Sequence, residues 1–369
     1  MQIEWIALSD FRSYAALSYT PSSTLNVVTG SNGQGKTNLL EALGLLLVGR
    51  SFRGAKALEL ARWNAPRGTV SGELKRVDAT RAIRRTIGPR EDGAWVVTGE
   101  GCAWARAIPF GWQDLAILTG GPHARRSFLD GFAGKLFPAH AATVGRYRRV
   151  LESRNHLLQS AQPPMVIDEA LEPWDAQLAR VGIELLGRRR HALEELASEV
   201  RALYPGMAGD GDLALGYRGS LPEGVDEGGF VDALRKRRVD ELRRGQTVVG
   251  PHRDDLTVDL DGRDMRLYAS RGQQRLLALA LRLAEAGPVA RAIGSSPVLL
   301  LDDALSELDP EVQLNVLRHV EGAGQVFLTT AEPTLPARHA AWWRVRDGRV
   351  EEPAARPVAV PSIPVPGAA

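Results

Sequence analysis

The segment Gly30-Ser31-Asn32-Gly33-Gln34-Gly35-Lys36-Thr37 decides the fold, because it has the pattern G-x-x-x-x-G-K-[ST] of a phosphate-binding loop. Glycine lets backbone N–H groups turn towards phosphate oxygens, and the N-terminus of the next helix attracts the same anion. A β-prone run, residues 24–29, precedes the loop, and an apolar helix candidate, residues 36–47, follows it. This strand–loop–helix context predicts a nucleotide-binding site.

Two side chains of the loop have specific expected roles. Lys36 would reach the β- and γ-phosphates, and the Thr37 hydroxyl would hold Mg²⁺. The whole loop is expected to surround the phosphates. Its expected nucleotide-binding residues are Gly30, Ser31, Asn32, Gly33, Gln34, Gly35, Lys36 and Thr37.

An apolar run that ends in two carboxylates, residues 297–303, lies near the other end of the chain. Continuous Val and Leu residues are typical of a buried parallel strand. At its carboxyl end, Asp302 is predicted to bind Mg²⁺ through water, opposite Thr37, and Asp303 to polarise the attacking water. The alternative is a buried strand followed by an acidic turn, but the presence of a phosphate loop favours the functional interpretation.

The segment Ser270-Arg271-Gly272-Gln273-Gln274 opens a helix predicted at residues 275–286. A serine and free N–H groups at a helix start form a second anion site; the alternative is an ordinary N-cap. The phosphate loop, this Ser-x-Gly-Gln segment (called the signature) and the acidic strand occur in the arrangement of ABC-type ATPases. In those proteins the signature of one protomer covers the γ-phosphate held by another. Residues 306–309 then resemble the D-loop, and Asp309 with Pro310 predicts a helix at 310–320.

Composition is that of an ordinary globular protein. The chain has 369 residues, 44% hydrophobic and 24% charged, and a net charge of only +2. Arginine is concentrated in clusters at residues 81–85, 146–149, 188–190 and 235–238. Such clusters could contact phosphate, but a single cluster more often lies on a solvated helix face. The single cysteine, Cys102, fits a reducing compartment, and neither a signal peptide nor a membrane-spanning run is visible.

The positions of the motifs predict a split ATPase head. Residues 1–122 form its strand-rich N-terminal part, residues 123–244 a mainly helical insert (lobe II), and residues 245–352 its C-terminal part. Helical spacing of apolar residues in the insert suggests long antiparallel helices. Residues 353–369, rich in Pro, Ala and Val, are predicted to be a disordered tail.

Together these segments resemble the RecF recombination-mediator family, in the same superfamily as SMC and Rad50 heads. The resemblance covers nearly the whole chain. Besides the loop, the signature and the acidic strand, it rests on four segments: Asp10-Phe11-Arg12-Ser13-Tyr14, Gly49-Arg50-Ser51-Phe52-Arg53, Arg125-Arg126-Ser127-Phe128-Leu129-Asp130 and Gly250-Pro251-His252-Arg253-Asp254-Asp255-Leu256.

The resemblance implies a bacterial, cytoplasmic protein that dimerises on ATP and binds double-stranded DNA and gap junctions. With RecR and RecO it would help to place RecA on single-stranded DNA coated by SSB, and slow, weak DNA-dependent ATP hydrolysis would reset the dimer. It also implies nucleotide contacts by Arg12 and Asn38 in one protomer, and by Ser270, Gly272 and Gln273 of the other.

Two positions differ from what is usual in related proteins. Gln113 stands where the family usually has Glu and is similar to the Gln of the general ABC Q-loop, so it is expected to contact Mg²⁺ or the attacking water. Thr329-Thr330 follows a strand predicted at 325–328, where transporters carry a switch His. Threonine cannot act as a base, which argues against a fast transporter-type cycle.

Three other protein classes share part of this motif set. A transporter ATPase subunit would not need the central insert and usually carries the switch His. A structural SMC organiser needs a far longer heptad-repeat insert. A P-loop kinase or small GTPase lacks a Ser-x-Gly-Gln signature.

Overall fold

The computed structural model describes residues 1–160, 163–209, 211–332, 335–337 and 339–352. The segment predicted to be a disordered tail lies outside these residues. The chain divides into two compact units. Unit 1 consists of the described residues of Met1–Asp114, Gly206–Gly209 and Val289–Ala369, and unit 2 of those of Leu115–Pro205 and Asp210–Pro288. The predicted boundaries of the helical insert, at residues 122 and 244, differ from the bounds of these two units. The predicted division of the chain into head and insert therefore stays a prediction.

The strands are β1 (Gln2–Phe11), β2 (Tyr14–Tyr19), β3 (Leu25–Thr29), β4 (Gly68–Arg76), β5 (Ala79–Pro89), β6 (Trp95–Thr98), β7 (Ala107–Phe110), β8 (Leu213–Arg218), β9 (Asp255–Leu260), β10 (Arg263–Asp264), β11 (Val298–Leu301), β12 (Val326–Thr330), β13 (Ala341–Arg346) and β14 (Arg349–Glu351). The α-helices are α1 (Lys36–Val48), α2 (Ala57–Leu60), α3 (Ala116–Thr119), α4 (Pro122–Leu136), α5 (His140–Leu158), α6 (Pro164–Ala208), α7 (Glu227–Arg244), α8 (Met265–Tyr268), α9 (Arg271–Leu283), α10 (Ala286–Ile293) and α11 (Pro310–Val320). A 3-10 helix covers Trp112–Leu115.

Unit 1 contains two sheets around α1. One is antiparallel, with the order β2-β1-β4-β5-β6; the other has the order β14-β13-β3-β12-β11-β7 and is parallel except at β14. Leu39, Leu43 and Leu46 of α1 belong to one core cluster with residues of both sheets, such as Ile6 and Phe327. Because α1 is apolar on nearly all sides, it can be buried between the sheets, and this fixes the start of the helix at the phosphate loop.

Unit 2 is built mainly on α4 to α7, with the antiparallel sheet β10-β9-β8. Tyr147 of α5, Leu178 of α6 and Phe230 of α7 lie in one apolar cluster. Among these helices Arg154, 0% exposed, donates to Asp175, Glu241 and Thr247 at 2.6–2.8 Å. A buried guanidinium tolerates loss of water only when its donors are satisfied in this way.

Most predicted elements are confirmed, with small shifts of their ends. The helices predicted at 36–47 and 310–320 are α1 and α11, and the acidic strand is β11. The helix predicted at 275–286 is wrong at both ends: it covers Arg271–Leu283, because Ser270 caps it. Thr329 and Thr330 do not follow β12 but end it. Asp309 occupies the N-cap position of α11, but its side chain accepts no capping hydrogen bond.

Candidate nucleotide-binding site

The site lies at the carboxyl edge of the parallel sheet of unit 1. The phosphate loop follows β3 and Asp302 follows β11, with β12 between these two strands. Asp302 N donates to Phe110 O at 2.8 Å, so the end of β11 is also fixed to β7. Ligands of open α/β sheets bind outside the carboxyl ends of their strands. The strand order therefore brings the loop and the acidic strand to the same edge.

The phosphate loop has a glycine backbone at its turns. Gly33 and Gly35 have φ values of 83° and 113°, and Gly35 is the N-cap of α1. These conformations are accessible to glycine and turn N–H groups inward to form an anion-binding concavity. Ser31, Asn32 and Gly33 form the exposed tip of the loop.

Lys36 crosses back over its own loop. Its Nζ donates to Gly30 O at 2.6 Å and to Ser31 O at 3.2 Å, and the residue is only 9% exposed. Burial lowers the pKa of the Lys36 ammonium, whereas the charges of Asp303 and Asp302 raise it. The ammonium is thus held inside the loop, close to both predicted carboxylates.

A hydroxyl–carboxylate cluster joins the start of α1, the end of β12 and the residues after β11. Thr37 Oγ1 lies 3.0 and 2.9 Å from the two carboxylate oxygens of Asp302. Thr329 Oγ1 donates to Asp302 Oδ1 at 2.7 Å and accepts from Asp303 N at 2.9 Å. The sequence indicates only that Thr329 cannot act as a base. Its role as a partner of Asp302 depends on the position of β12 between β3 and β11, which the sequence does not contain.

This cluster fits Mg²⁺ and a nucleotide phosphate. Thr37 and Asp302 bring one hydroxyl and two carboxylate oxygens together beside the loop, and hard oxygen donors are what Mg²⁺ prefers. The loop supplies N–H donors and one ammonium for the phosphates. The donors present are therefore those that both groups require.

Asp303 and Gln113 follow strands that end at this edge of the sheet. Asp303 is exposed, with φ 50°, directly after Asp302. Gln113 is in the 3-10 helix after β7, the strand next to β11, so it follows the same carboxyl edge. Their water-polarising and metal-binding roles remain predictions.

Arg12 and Asn38 are held by neighbours of the loop. Arg12, with φ 50°, donates from Nε and Nη2 to the two oxygens of Glu41 at 2.8 and 2.9 Å. Glu41 is fully buried on α1 and also accepts from Ser51. Asn38 Nδ2 donates to Ser13 Oγ at 3.0 Å. Glu41, which sequence reasoning did not select, therefore fixes the position of Arg12.

The signature residues form a capping box in unit 2. Ser270 Oγ accepts from Gln273 N at 3.3 Å, and Gln273 Oε1 accepts from Ser270 N at 2.9 Å. Ser270 and Gln273 are exposed, and Gly272 is partly exposed. The S-x-x-Q spacing that signals this box was readable in the sequence. The cap explains why α9 begins at Arg271. The contact of the exposed Ser270 with a nucleotide stays a prediction.

The segments 125–130 and 250–256 meet within unit 2. Arg125 forms a bidentate ion pair with Asp255 at 2.6 and 2.9 Å. Arg189 forms a second bidentate pair with Asp130, with both contacts at 2.8 Å. Burial raises the pKa of Asp130, but Arg189 and His140 outweigh it and hold the pKa at about 2. These segments thus form one structural network.

His252 takes part in this network as a neutral ring. Its Nε2 lies 3.0 Å from Thr247 O, which can only accept, so Nε2 carries the proton. Nδ1 then accepts from the hydroxyl of Tyr147 at 2.8 Å. Burial, together with the charges of nearby arginines, lowers the pKa of His252 to about 4.

The free energy of unfolding is expected to fall as the pH decreases from about 6.5 to about 4. In this pH range the unfolded chain binds a proton at His252 and the native chain does not. Above this window the imidazole is neutral in both states and contributes no slope. The loss from this group would reach up to about 3 kcal/mol. The free energy of unfolding, measured by denaturant titration at several pH values, should depend less steeply on pH in His252→Gln than in the wild type. The dependence should be unchanged in His123→Gln, which replaces an exposed histidine. An unchanged slope in His252→Gln would contradict the assignment.

Comparison with known proteins identifies the family. A model described as the RecF/RecN/SMC N-terminal domain matches residues 2–348. The DNA replication and repair protein RecF of Heliobacterium modesticaldum is 37% identical over 343 residues, which cover 89% of this chain and 92% of the relative. The chain belongs to the RecF family.

Solved structures agree with this assignment. A structure of the recombination mediator protein RecF with ATP, in the RecFOR pathway, superposes on the RecF-family chain with a TM-score of 0.81 at 28% identity, covering 95% of this chain and 97% of the other. An SMC head bound to the C-terminal winged-helix domain of ScpA has a TM-score of 0.55 at 16% identity, covering 95% and 96%, and shares the fold alone. The predicted ABC-type ATPase head fold is confirmed.

The helices that the structure describes in this RecF-family chain include none that is both long and apolar enough to span a membrane.

Proposed function

We propose that this chain is an ATP-dependent, DNA-binding recombination mediator of the cytoplasm. It dimerises on ATP, binds double-stranded DNA and gap junctions, and acts with RecO and RecR to promote loading of RecA on single-stranded DNA coated by SSB. Slow, weak DNA-dependent ATP hydrolysis resets the dimer. The observation that carries the proposal is the contact of Thr37 with Asp302 beside the phosphate loop, in a chain of the RecF family.

In the ATP-bound protomer, loop N–H groups and Lys36 bind the phosphates, while Thr37 and Asp302 hold Mg²⁺. Bound Mg²⁺ would neutralise charge that develops on the transferred phosphoryl group. Thr329 orients Asp302 by donating to Oδ1. Asp303, exposed beside this cluster, polarises the attacking water, and Gln113 positions the water or completes the metal site.

Dimerisation follows from the signature in unit 2. Leu267 and Tyr268, 76% and 69% exposed, come directly before Ser270. Adjacent exposed apolar side chains next to a polar group are typical of a protein–protein contact. We infer that this surface packs on a second protomer, so that Ser270, Gly272 and Gln273 reach the γ-phosphate in the partner's loop.

Arginines that pair with carboxylates of the same chain are poor candidates for DNA contacts, because their charge is already neutralised. Arg189 pairs with Asp130, and Arg238 pairs with Asp175 and Asp168. Such pairs leave few donors for a phosphate. Exposed cations without such partners are better candidates for the DNA surface.

The segment 49–67 of unit 1, here called the basic loop, offers such cations. It carries five exposed cations and one acid, Glu59; the cations are Arg50, Arg53, Lys56, Arg62 and Arg67. Salt bridges among the described residues do not include Arg50, Lys56 or Arg67. Trp63 in the same loop is 89% exposed. Unpaired cations around an exposed aromatic ring suit the phosphate backbone of DNA.

Affinity for duplex DNA in the presence of ATP is expected to fall steeply with salt, with a log–log slope of roughly −0.9 for each neutralised phosphate, and to be independent of sequence. Replacing Arg50, Lys56 and Arg67 with Gln should make the slope shallower by roughly 0.9 for each phosphate that these side chains no longer neutralise. Fluorescence anisotropy at several salt concentrations measures this.

The matched control removes three exposed charges from α7 by replacing Arg235, Lys236 and Arg237 with Gln. Arg235 and Arg237 already have carboxylate partners. The wild-type slope is expected to persist. Equal slopes in both triple variants would reject the basic loop, and salt-independent or strongly sequence-specific binding by the wild type would reject phosphate-mediated DNA binding.

A further inference from the structure

A tight turn near the C-terminus touches the phosphate loop. β13 and β14 are joined by Asp347 and Gly348, with φ values of 48° and 71°, and Arg346 pairs with Arg349. Positive φ at both central residues is the geometry of a type I′ hairpin turn. The backbone N–H of Asp347 donates to Gln34 Oε1 in the phosphate loop at 2.8 Å.

Two close approaches fix the same hairpin against its neighbours. A Cβ atom on Gly30, the first residue of the phosphate loop, would lie 2.4 Å from Val345 O in β13. A Cβ atom on Gly348 would lie 3.1 Å from Ser13 O, in the turn between β1 and β2. The hairpin thus contacts the loop at its start, through Gly30, and again through Gln34.

The turn between β1 and β2 supports the opposite end of the loop. The Tyr14 hydroxyl donates to Gly35 O at 2.9 Å. A Cβ atom on Gly35 would lie 2.8 Å from Ser13 Oγ. The loop is therefore held between two β-turns.

Beyond the close contact of Gly30 with Val345, the loop is not tightly packed against the hairpin. A cleft of about 370 Å³ lies there, lined by Gly30, Ser31, Gln34 and residues 344–347. Lys36 Nζ restrains the loop from within, through Gly30 O and Ser31 O. The Asp347–Gln34 hydrogen bond adds a polar contact that ties the middle of the loop to the hairpin across this open space. A loop released from it would have to be ordered when nucleotide binds, which weakens binding.

We propose that the Asp347–Gly348 turn positions the phosphate loop for nucleotide, and that Gln34 is a positioning residue rather than a phosphate ligand. This rests on the proposed function, because it requires that the loop binds ATP. The turn acts on the affinity of the loop for phosphate and leaves the hydrolytic groups at Asp302 and Asp303 in place.

Gly348→Ala tests the role of the turn. Alanine is strained at this φ, and its Cβ would press on Ser13 O, which displaces the turn. The matched control is Gly262→Ala in the Asp261–Gly262 turn between β9 and β10, where φ values are 51° and 74° and a Cβ would have no neighbour within 4 Å. Both variants have the same backbone strain, but only one disturbs the loop.

Titration calorimetry with ATP and with ADP should show affinity about tenfold weaker for Gly348→Ala and unchanged for Gly262→Ala. The hydrolysis rate at saturating ATP should be unchanged in both. Gln34→Met, which removes the acceptor, should weaken affinity about fivefold. Combined with Gly348→Ala it should add little, because both changes break the same hydrogen bond.

Additive losses in the double variant, or wild-type affinity in Gly348→Ala, would overturn the positioning role. Wild-type protein that fails to bind ATP would overturn the proposed function and this inference with it. ATP binding by the wild type and by Gly348→Ala with equal affinity would overturn this inference alone.

Discussion

Lys36→Met is expected to weaken ATP binding by about 100-fold or more, since it removes the only ammonium inside the phosphate loop and leaves phosphate charge without a close partner. Lys36 Nζ also donates to Gly30 O and Ser31 O, so the variant loses the bonds that close the loop. ATP-dependent dimerisation and DNA binding should be lost with ATP affinity. Titration calorimetry with Mg²⁺ and ATP measures the effect.

Lys75→Met is the matched control for this variant. Lys75 is a half-exposed lysine of unit 1 that lies 3.6 Å from Glu4 on the antiparallel sheet. The Lys75→Met variant should bind ATP as the wild type does. Unchanged ATP affinity in Lys36→Met would show that the loop is not the nucleotide site.

Ser270→Arg is expected to weaken ATP-dependent dimerisation by about 100-fold or more while the monomer still binds ATP. The proposed contact of Ser270 with the partner's γ-phosphate exists only with ATP, because ADP lacks those oxygens. This difference allows the nucleotide to shift the monomer–dimer equilibrium. Hydrolysis and DNA retention should be lost together, since both require the composite site. Sedimentation velocity with Mg²⁺ and ATP, with parallel ATP titration, measures both properties.

Loss of a helix cap could by itself perturb unit 2, so the control must lose a cap elsewhere. Asp226 caps α7 by accepting from Gly229 N at 2.8 Å. Asp226→Arg loses a comparable cap, worth about 1 kcal/mol, and should still dimerise on ATP. Dimerisation of Ser270→Arg at the wild-type level would mean that Ser270 is a helix cap and nothing more.

The parts of the site that are local in sequence were predictable. A strand, a glycine-rich turn and an apolar helix follow one another within residues 24–47, so their pattern identifies the phosphate loop without tertiary information. The acidic strand is similarly continuous. The start of α9 is also readable from the S-x-x-Q spacing, although the predicted helix begins later, at residue 275.

The partners of these segments were not predictable, because they depend on strand order. Thr329 reaches Asp302 only because β12 lies between β3 and β11. Gln34 meets a turn at Asp347 that is distant in sequence. Likewise, which arginines pair internally, such as Arg189 with Asp130, is decided by tertiary packing that a charge pattern does not contain.

The most direct test of ATP-dependent DNA binding is the affinity for one duplex DNA measured with Mg²⁺ and ATP, with Mg²⁺ and ADP, and without nucleotide. Fluorescence anisotropy and sedimentation should be recorded on the same samples. A DNA-bound dimer is expected with ATP, and monomers with much weaker DNA binding in the other two conditions. Equal DNA affinity in all three conditions, or a dimer that forms without ATP, would contradict the proposed function.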